Sequence, residues 1–473
     1  MTLPIATFVV AAVAAAAAGC ANARMDDPPT DAAPGDAGRV DGAGPDGAPT
    51  DAAPLDGPSP DGGDAAPSPD GAAGCPTDAT GTACVLALHA RARAGCAPAD
   101  VTALTAALTA RRGELPLWHD GTALFAADRA VAIAGAWNGW STTATTTTAL
   151  CAGSLHTATA AVATGHWQYK IVADGTWALD PWNRGFAFDD FAGNPEGRNS
   201  VLNTPDSGRG HLVARAEPLC STALGNCREL TAYLPPGYHA PAQAATRYPV
   251  VYLHDGQNVW DDHDCCFGHT GWEVNVALDA ELAAGRVAPV IAVAAGHGGA
   301  ARNAEYGWST TVGGAQETFM AFQLATVQPT AEALWRIDPA RRVVAGSSLG
   351  GLISVRLALE HPTVYRGVAS ISGAFWPGQD TGTAIRDRLP AIGKVPMAIY
   401  LDHGGTAASG GDGYADNQAV RDQLVGLGWT RGDAPACTRG PDALCYWHAV
   451  GASHDELAWR DRAFRWLRFH FAP

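Results

Sequence analysis

Short apolar runs recur along the second half of the chain and are separated by stretches with helical spacing. Each run is continuous over about four to eight positions, which is typical of buried strands. Alternation of such strands with helices predicts a mostly parallel sheet with helices on both faces. The predicted strands lie at residues 248–253, 287–293, 342–345, 368–371, 397–401 and 443–450.

The preceding part of the chain has a different pattern. Runs rich in β-formers at 130–134 and 166–172 lie between Gly and Asn turns, which predicts a small all-β, immunoglobulin-like sandwich. Residues 84–112 predict two short helices, the second beginning at Asp100 as N-cap. The expected organisation is a helical cap over 75–114, a sandwich over 115–205, a linker over 206–227 and an α/β domain over 228–473.

The first twenty residues carry no charged side chain and include a small-apolar run at 8–18. This run has the length of a signal-peptide core and is too short to span a bilayer. It ends Ala17-Ala18-Gly19-Cys20, which resembles a lipobox whose cysteine is acylated. We therefore expect an exported protein that is anchored to the cell envelope by lipid at Cys20, with periplasmic or secreted protein as the alternative.

Residues 21–74 are rich in Asp, Pro, Gly and Ala, and contain eleven Asp but only two Arg. Such a segment buries too little apolar surface to offset its ordering entropy, so it predicts a disordered linker. More than half of the formal net charge of −16 lies there. The acidic balance excludes a nucleic-acid binder, which needs a basic surface, and it carries no information about the substrate.

Ten cysteines remain if Cys20 is acylated. An even number in an exported chain indicates disulfides, and close spacing favours the pairs Cys437–Cys445 and Cys220–Cys227. The run from Asp261 to Cys266, with His269 nearby, contains metal-binding residue types. We expect a solvated loop with disulfide-bonded cysteines there, and neither a metal nor another cofactor.

The motif Gly346-Ser347-Ser348-Leu349-Gly350 lies between a predicted strand and a predicted helix. A G-x-S-x-G sequence in this context predicts a nucleophile elbow, in which Ser348 is exposed on a tight turn. The backbone N–H of Leu349, at the start of the helix, is then an oxyanion donor. The second donor is expected in the loop after the first hydrolase strand, and we assign it to the N–H of Gln257.

A serine nucleophile needs a base and an acid, which follow it along the chain in this architecture. His454 lies in a loop after the last predicted strand and is the expected base. Three carboxylates compete for the role of acid: Asp412 in the body of a glycine-rich loop, Asp402 at a strand end, and Asp416, which has the sequence context of a helix N-cap. Asp412 is favoured because its loop leaves it free to reach the imidazole.

Five motifs resemble those of the enterochelin-esterase-like esterases, which include many feruloyl and acetylxylan esterases of carbohydrate esterase family 1. The resemblance implies an α/β-hydrolase fold and hydrolysis of carboxylic esters through an acyl-enzyme, and it supports Ser348 and His454. The acid loop is longer and richer in glycine than in the family, so the choice of acid stays open. The motifs are residues 252–258, 302–306, 346–350, 401–404 and 453–460.

Residues 130–203 resemble a family 48 carbohydrate-binding module of the glycogen-binding type. In glycan-binding members two Trp faces, a Lys and an Asn hold the sugar, and flat aromatic rings suit the C–H faces of sugars. The matching positions here are Trp140, Lys170, Trp177 and Asn199. The alternative is a domain that packs on the hydrolase and shapes its pocket, with its tryptophans in the core.

These observations together predict an exported serine carboxylic-ester hydrolase. The resemblance implies feruloyl or acetyl groups on polysaccharide as substrates, with a cyclic siderophore ester as the next choice. Two alternatives stay open: acyl transfer to a sugar acceptor, and a non-catalytic glycan-binding surface lipoprotein. The oligomeric state is not predicted.

Overall fold

The structure is a computed structural model and describes residues 81–189, 191, 197–263, 265–266, 269–307, 314–378 and 383–473. The predicted signal segment 1–20 with Cys20, and the predicted linker 21–74, lie outside the described residues. All described residues belong to one unit, Ala72–Pro473. None of the helices in these described ranges has the length and apolarity that a membrane crossing requires.

The described residues begin with two helices, continue with a series of strands and end with helices and strands that alternate. The helices are α1 (Thr82–Gly95), α2 (Pro98–Ala110), α3 (Val274–Ala283), α4 (Arg302–Tyr306), α5 (Gln316–Phe322), α6 (Gln328–Leu334), α7 (Leu349–Glu360), α8 (Ile385–Ile392), α9 (Tyr414–Gly426), α10 (Glu456–Arg460) and α11 (Ala463–Phe471). The strands are β1 (Leu117–His119), β2 (Thr122–Ala127), β3 (Ala132–Gly135), β4 (Thr148–Ala149), β5 (His156–Ala161), β6 (His166–Ala173), β7 (Thr176–Ala178), β8 (Gly185–Phe188), β9 (Arg198–Asn203), β10 (His211–Ala214), β11 (Leu219–Ser221), β12 (Asn226–Arg228), β13 (Leu230–Leu234), β14 (Tyr248–Leu253), β15 (Ile291–Ala295), β16 (Ile337–Ser347), β17 (Gly367–Ile371), β18 (Ala398–His403), β19 (Thr430–Asp433) and β20 (Ala443–His448).

The parallel sheet predicted for the second half of the chain is present. Seven strands pair in parallel in the order β19-β20-β18-β17-β16-β14-β15. Alternate side chains of β14 enter different cores, with Tyr252 packing on one face of the sheet and Val251 on the other. Helix α7 covers the first face, and α11 covers the second. The fold is therefore an α/β hydrolase whose central strands are buried on both sides.

The predicted linker at 206–227 is wrong, because this segment forms strands. Strand β10 pairs on one side with β8 of the front part and on the other side with β13. The sheet therefore continues without a break from the hydrolase through β13, β10, β8, β9 and β6 to β3. Four residues were too few to indicate a strand by their pattern, and pairing with two neighbours stabilises them as one.

The front sandwich consists of the end of this long sheet and a second sheet of four strands, β1-β2-β5-β4. Helices α1 and α2 pack beside it as the predicted cap, and Leu104 and Leu108 are fully buried. Helix α2 begins at Pro98, so Asp100 lies in its first turn and is not the N-cap. The reason is that proline, with its fixed φ and missing N–H, suits the first position of a helix.

Disulfides link residues within the front part and within the α/β part. The predicted pairs Cys437–Cys445 and Cys220–Cys227 are present. Cys96 at the end of α1 is bonded to Cys151 in the sandwich, and Cys84 is also disulfide-bonded. The adjacent Cys265 and Cys266 are bonded to each other.

Candidate active site

The elbow after β16 has the geometry that its sequence predicts. Ser348 stands between the last residue of β16 and the first of α7, with φ 54° and ψ −127°, in a region that non-glycine residues rarely adopt. A side chain on Gly346 would clash with the backbone of Gly350, and one on Gly351 would lie 2.5 Å from the hydroxyl of Ser370. Glycine is therefore required where the turn brings strand and helix together.

The structure brings Ser348, His454 and Asp412 into one hydrogen-bonded chain. The Nε2 atom of His454 lies 2.9 Å from Oγ of Ser348, and its Nδ1 atom lies 2.6 Å from Oδ1 of Asp412. The three side chains come from the elbow, from the turn between β20 and α10, and from the loop between β18 and α9. All three connections follow the carboxyl ends of parallel strands, which meet at one edge of the sheet.

The three side chains of this hydrogen-bonded series differ in solvent exposure. The side chain of Asp412 is fully buried, whereas that of His454 is 39 % exposed and packs edge-on against Trp459 with ring centroids 5.2 Å apart. A buried carboxylate on Nδ1 selects the imidazole tautomer whose Nε2 accepts a proton from serine. The exposed side of the ring leaves room for a substrate beside Ser348.

Asp412 is held by groups that the sequence analysis did not identify. Its Oδ2 atom accepts a 2.7 Å hydrogen bond from the Ser372 hydroxyl and another from the backbone N–H of Gly404. Behind Ser372, the buried guanidinium of Arg462 donates to the Ser372 oxygen and, at 3.0 Å, to Oδ1 of Asp402. The available signal was a Ser-Gly pair directly after the strand next to the elbow.

The other two candidate acids lie elsewhere. Asp402, at the end of β18, accepts hydrogen bonds from Arg462 and, at 3.0 Å, from the hydroxyl of Tyr400. Burial raises the pKa of the Asp402 carboxyl, and the Arg462 guanidinium opposes that effect. Asp416 lies in the first turn of α9, 3.7 Å from Arg386, and the residue that caps this helix is Gly413. Among the three, Asp412 is the one that contacts His454.

The loop that carries Asp412 is rich in glycine for a steric reason. A side chain on Gly404 would clash with the carbonyl of Ala452, next to the histidine turn, and one on Gly405 would clash with the backbone of Gly411. The loop folds back on itself so closely that Cβ atoms are excluded. This close folding places Asp412 beside the imidazole of His454.

The turn that holds Gln257 packs against the start of α7. Residues Gly256–Asn258 form a single 3₁₀ turn after β14, and a side chain on Gly350 would lie 2.9 Å from Oδ2 of Asp255, the residue before the turn. Gln257 is anchored through its side-chain oxygen, which accepts a 3.2 Å hydrogen bond from the N–H of His297. Leu349 begins α7, where backbone N–H groups have no acceptor within the helix.

The four candidate glycan residues share one face of the front sheet. The rings of Trp140 and Trp177 are 6.3 Å apart between centroids, and these residues are 37 % and 43 % exposed. Trp177 lies on β7, and Lys170 lies on β6, whose residue Gln168 accepts a 2.8 Å hydrogen bond from Asn199. Lys170 and Asn199 are buried, so the two tryptophans supply the exposed surface.

The loop from Asp261 to Cys266, with His269 nearby, contains residue types that bind metals, but its described residues do not form a metal-binding cluster. Across the described ranges, no group of three or more His, Cys, Asp and Glu side chains is arranged to hold a metal ion. The sulfur atoms of Cys265 and Cys266 are joined to each other. They are therefore not available as thiolate ligands.

Relatives were found both in sequence and in structure. The protein YbbA of Bacillus subtilis (strain 168), which is uncharacterised, is 26 % identical over 186 residues, covering 37 % of this chain and 69 % of YbbA. A ferulic acid esterase is 18 % identical with a TM-score of 0.42, covering 56 % of this chain and 97 % of that one. The ferric enterobactin esterase of Salmonella typhimurium is 19 % identical with a TM-score of 0.39, covering 74 % and 94 %. Likeness at this level carries no information about the substrate of this chain.

The family is shown by a different match. The model of the family Esterase, described as "Putative esterase", matches residues 221–463, which is just over half of the chain. The matched region contains the elbow, the Gln257 turn, the Asp412 loop and the His454 turn. The chain therefore belongs to the Esterase family, and it is a carboxylic ester hydrolase.

Proposed function

We propose that the protein hydrolyses its ester through a covalent acyl-serine. Ser348 attacks the ester carbonyl, His454 takes the hydroxyl proton at Nε2 and passes it to the leaving alcohol, and Asp412 stabilises the imidazolium. Water then attacks the acyl carbonyl and loses a proton to His454. When the acid is released, His454 returns that proton to the oxygen of Ser348. The observation that carries the proposal is the position of His454, within hydrogen-bond distance of both Ser348 and Asp412.

The proposal assigns the oxyanion to two backbone groups, the N–H of Leu349 and the N–H of Gln257. Leu349 supplies an N–H at the positive end of α7, which favours a developing negative charge. The turn with Gln257 packs against the first residues of the same helix. Donors of this kind act through position, so their surroundings must be rigid.

A pre-steady-state assay of the full chain tests this mechanism. With p-nitrophenyl acetate or methyl ferulate, we expect a burst of alcohol that is stoichiometric with enzyme, followed by slower turnover. Ser348→Ala removes the nucleophile and is expected to abolish the burst, whereas Ser354→Ala, on the same helix but outside the triad, keeps it. Equal turnover by wild type and Ser348→Ala would exclude the acyl-serine.

The proposed substrates are feruloyl or acetyl esters on polysaccharide, with a siderophore-like cyclic ester as the next choice. The motif resemblance and the aromatic face of the front sheet support a polysaccharide. Turnover rates on feruloylated and acetylated glycan fragments, compared with those on a cyclic triester, separate these classes. Acyl transfer is the alternative outcome, and it is recognised by an acyl-sugar product when a sugar alcohol is added.

The second proposed activity is glycan binding by the front sheet. It is supported by the exposed and adjacent rings of Trp140 and Trp177, because paired aromatic faces suit sugar rings. We expect Trp177→Ala and Trp140→Ala to weaken retention on insoluble glycan, while Trp376→Ala, an exposed tryptophan of the α/β part, does not. Retention by a wild type that hydrolyses no ester would favour a glycan-binding surface lipoprotein.

We also propose export and acylation at Cys20, on the sequence evidence of an apolar run that ends in a lipobox-like motif. The even number of remaining cysteines, most of them in disulfides, agrees with an oxidising compartment. Metabolic labelling with palmitate is expected to mark wild type and not Cys20→Ser. Equal labelling of both would exclude this anchor.

A further inference from the structure

Glu456 is a buried carboxylate that the proposed reaction does not use. It is 2 % exposed and lies two residues after His454, at the first position of α10. Its Oε1 atom accepts a 2.9 Å hydrogen bond from Nδ2 of Asn258. Its Oε2 atom is buried without a hydrogen-bond partner among the described residues, 4.0 Å from Nε2 of His269. A buried carboxyl group placed in this way needs an explanation.

The partner of Glu456 is the last residue of the proposed oxyanion turn. The backbone N–H of Asn258 donates to the carbonyl of Asp255 at 2.8 Å, and its carbonyl accepts from the N–H of Trp272 at 2.9 Å. The bond to Glu456 therefore adds a third restraint on Asn258, and it comes from 198 positions further along the chain.

The other end of the turn is also held by a side chain. Asp255 has φ 58°, in the left-handed region, and its two carboxylate oxygens accept from Arg302 at 2.7 and 2.9 Å. Burial opposes the charge on Asp255, but the Arg302 guanidinium prevails and lowers the pKa of that carboxyl. The turn with Gln257 in its middle is thus restrained at both ends, by Arg302 and by Glu456.

The pKa values of the two carboxyls are shifted in opposite directions. Burial raises the pKa of the Glu456 carboxyl, and in the part of the chain that the structure describes its one ion-pair contact is with the His269 ring at 4.0 Å. A neutral carboxyl still offers a carbonyl oxygen to the Asn258 amide. A glutamine at this position would offer the same acceptor.

We propose that Glu456 is a positioning residue that ties the oxyanion turn to the segment carrying His454. The inference rests on the proposed function, in which the N–H of Gln257 and the imidazole of His454 act on one substrate carbonyl. These two groups come from distant segments, and misplacement by a fraction of an ångström weakens catalysis. The Glu456–Asn258 bond joins the two segments directly.

Substitution at both ends of this bond tests the inference in the full chain. With p-nitrophenyl acetate, we expect Glu456→Ala and Asn258→Ala each to lower kcat about 10- to 100-fold, with little change in KM. This decrease is at most that caused by removing one oxyanion donor, because the donor is displaced and not deleted. The double variant is expected to lose no more than either single variant, because both remove one bond. Glu456→Gln is expected to stay within about threefold of wild type, since it retains the acceptor.

Glu273→Gln is the matched control. Glu273 precedes α3 and accepts a 3.3 Å hydrogen bond from Arg460 of α10. It therefore also links α10 to the segment that follows the oxyanion turn, but its side chain has no hydrogen bond to the turn itself. Its kcat is expected to equal that of wild type. Thermal unfolding of each variant shows whether a loss of activity comes from a misplaced turn or from an unfolded protein. If Glu456→Ala does not fold, the two single variants Glu456→Gln and Asn258→Ala decide the question.

The possible failures are distinguishable. If wild type gives a burst and Glu456→Ala has the same kcat, or if Glu456→Gln is as slow as a folded Glu456→Ala, the positioning role is excluded and the proposed function stands. If wild type gives no burst and Ser348 does not react with diethyl p-nitrophenyl phosphate, the proposed function fails and the inference fails with it.

Discussion

Ser372 donates a 2.7 Å hydrogen bond to Oδ2 of Asp412, the carboxylate oxygen that does not face His454. Arg462 donates to the same serine and lies 3.6 Å from that oxygen. The side chains of Arg462 and Asp412 are almost completely buried, so little water screens this arrangement. Asp412 is therefore oriented from behind by a serine and an arginine, while its other oxygen meets the imidazole.

We expect Asp412→Asn to lower kcat by about three orders of magnitude, because the amide favours the wrong imidazole tautomer. Asp402→Asn weakens the pair with buried Arg462 and is expected to reduce stability more than the chemical step. Asp416→Asn serves as control and is expected to keep wild-type activity. Steady-state kinetics with thermal unfolding checks this, and a folded Asp416→Asn or Asp402→Asn as inactive as Asp412→Asn would contradict the assignment.

Ser372→Ala removes one hydrogen bond to a charged group, a contribution of about 1.5–3 kcal/mol. We expect kcat to fall about tenfold or more, since the carboxylate is then less restrained and can rotate away from His454. The matched control is Ser354→Ala, which removes another buried hydroxyl, bonded at 2.7 Å to the carbonyl of Gly350, but does not touch Asp412. If both variants lose activity equally, the orienting role of Ser372 is disproved.

Acid is expected to destabilise the fold through buried neutral histidines. Burial lowers the pKa of His470 to about 3, while its Nε2–H donates to the carbonyl of Val368 at 3.1 Å. Below about pH 6.5 the unfolded chain binds a proton at this residue and the folded chain does not. The free energy of unfolding therefore decreases as the pH is lowered, by about 2 kcal/mol at pH 5. The loss is complete near pH 3.

Denaturant titrations between pH 7 and pH 5 measure this effect. His470→Gln keeps a donor but cannot titrate, and is expected to lose about 2 kcal/mol less than wild type over that interval. His119→Gln, at an exposed position, is the control and is expected to follow wild type. An equal pH dependence in His470→Gln and wild type would show that His470 does not contribute.

The disulfides are expected to differ in their effect on stability because they close loops of different length. The bond Cys96–Cys151 spans 55 positions and Cys437–Cys445 spans 8. Chain entropy gives about 4 kcal/mol for the first and about 2.5 kcal/mol for the second. Thermal unfolding of the two double serine variants compares them, and a larger loss for Cys437→Ser with Cys445→Ser would contradict the loop-length argument.

Much of the α/β part could be predicted from local patterns. Strand β14 was predicted to the residue, because it is a continuous apolar run beside turn residues. The elbow at Ser348 was recognisable since a tight strand-to-helix turn requires glycine at fixed offsets. His454 was selected by its place after the last strand. These features depend on neighbours within a few residues.

Other features depend on residues that are far apart in the chain. Strand β10 exists because β8 and β13 pair with it, so 206–227 could not be recognised as sheet. The choice of Asp412 depends on a glycine-rich loop folding against Ala452 and on Ser372, 40 positions away. Sequence alone determined which chemical groups were present and in what order along the chain. The tertiary structure decided which of them meet, because long-range packing and burial set the distances between side chains.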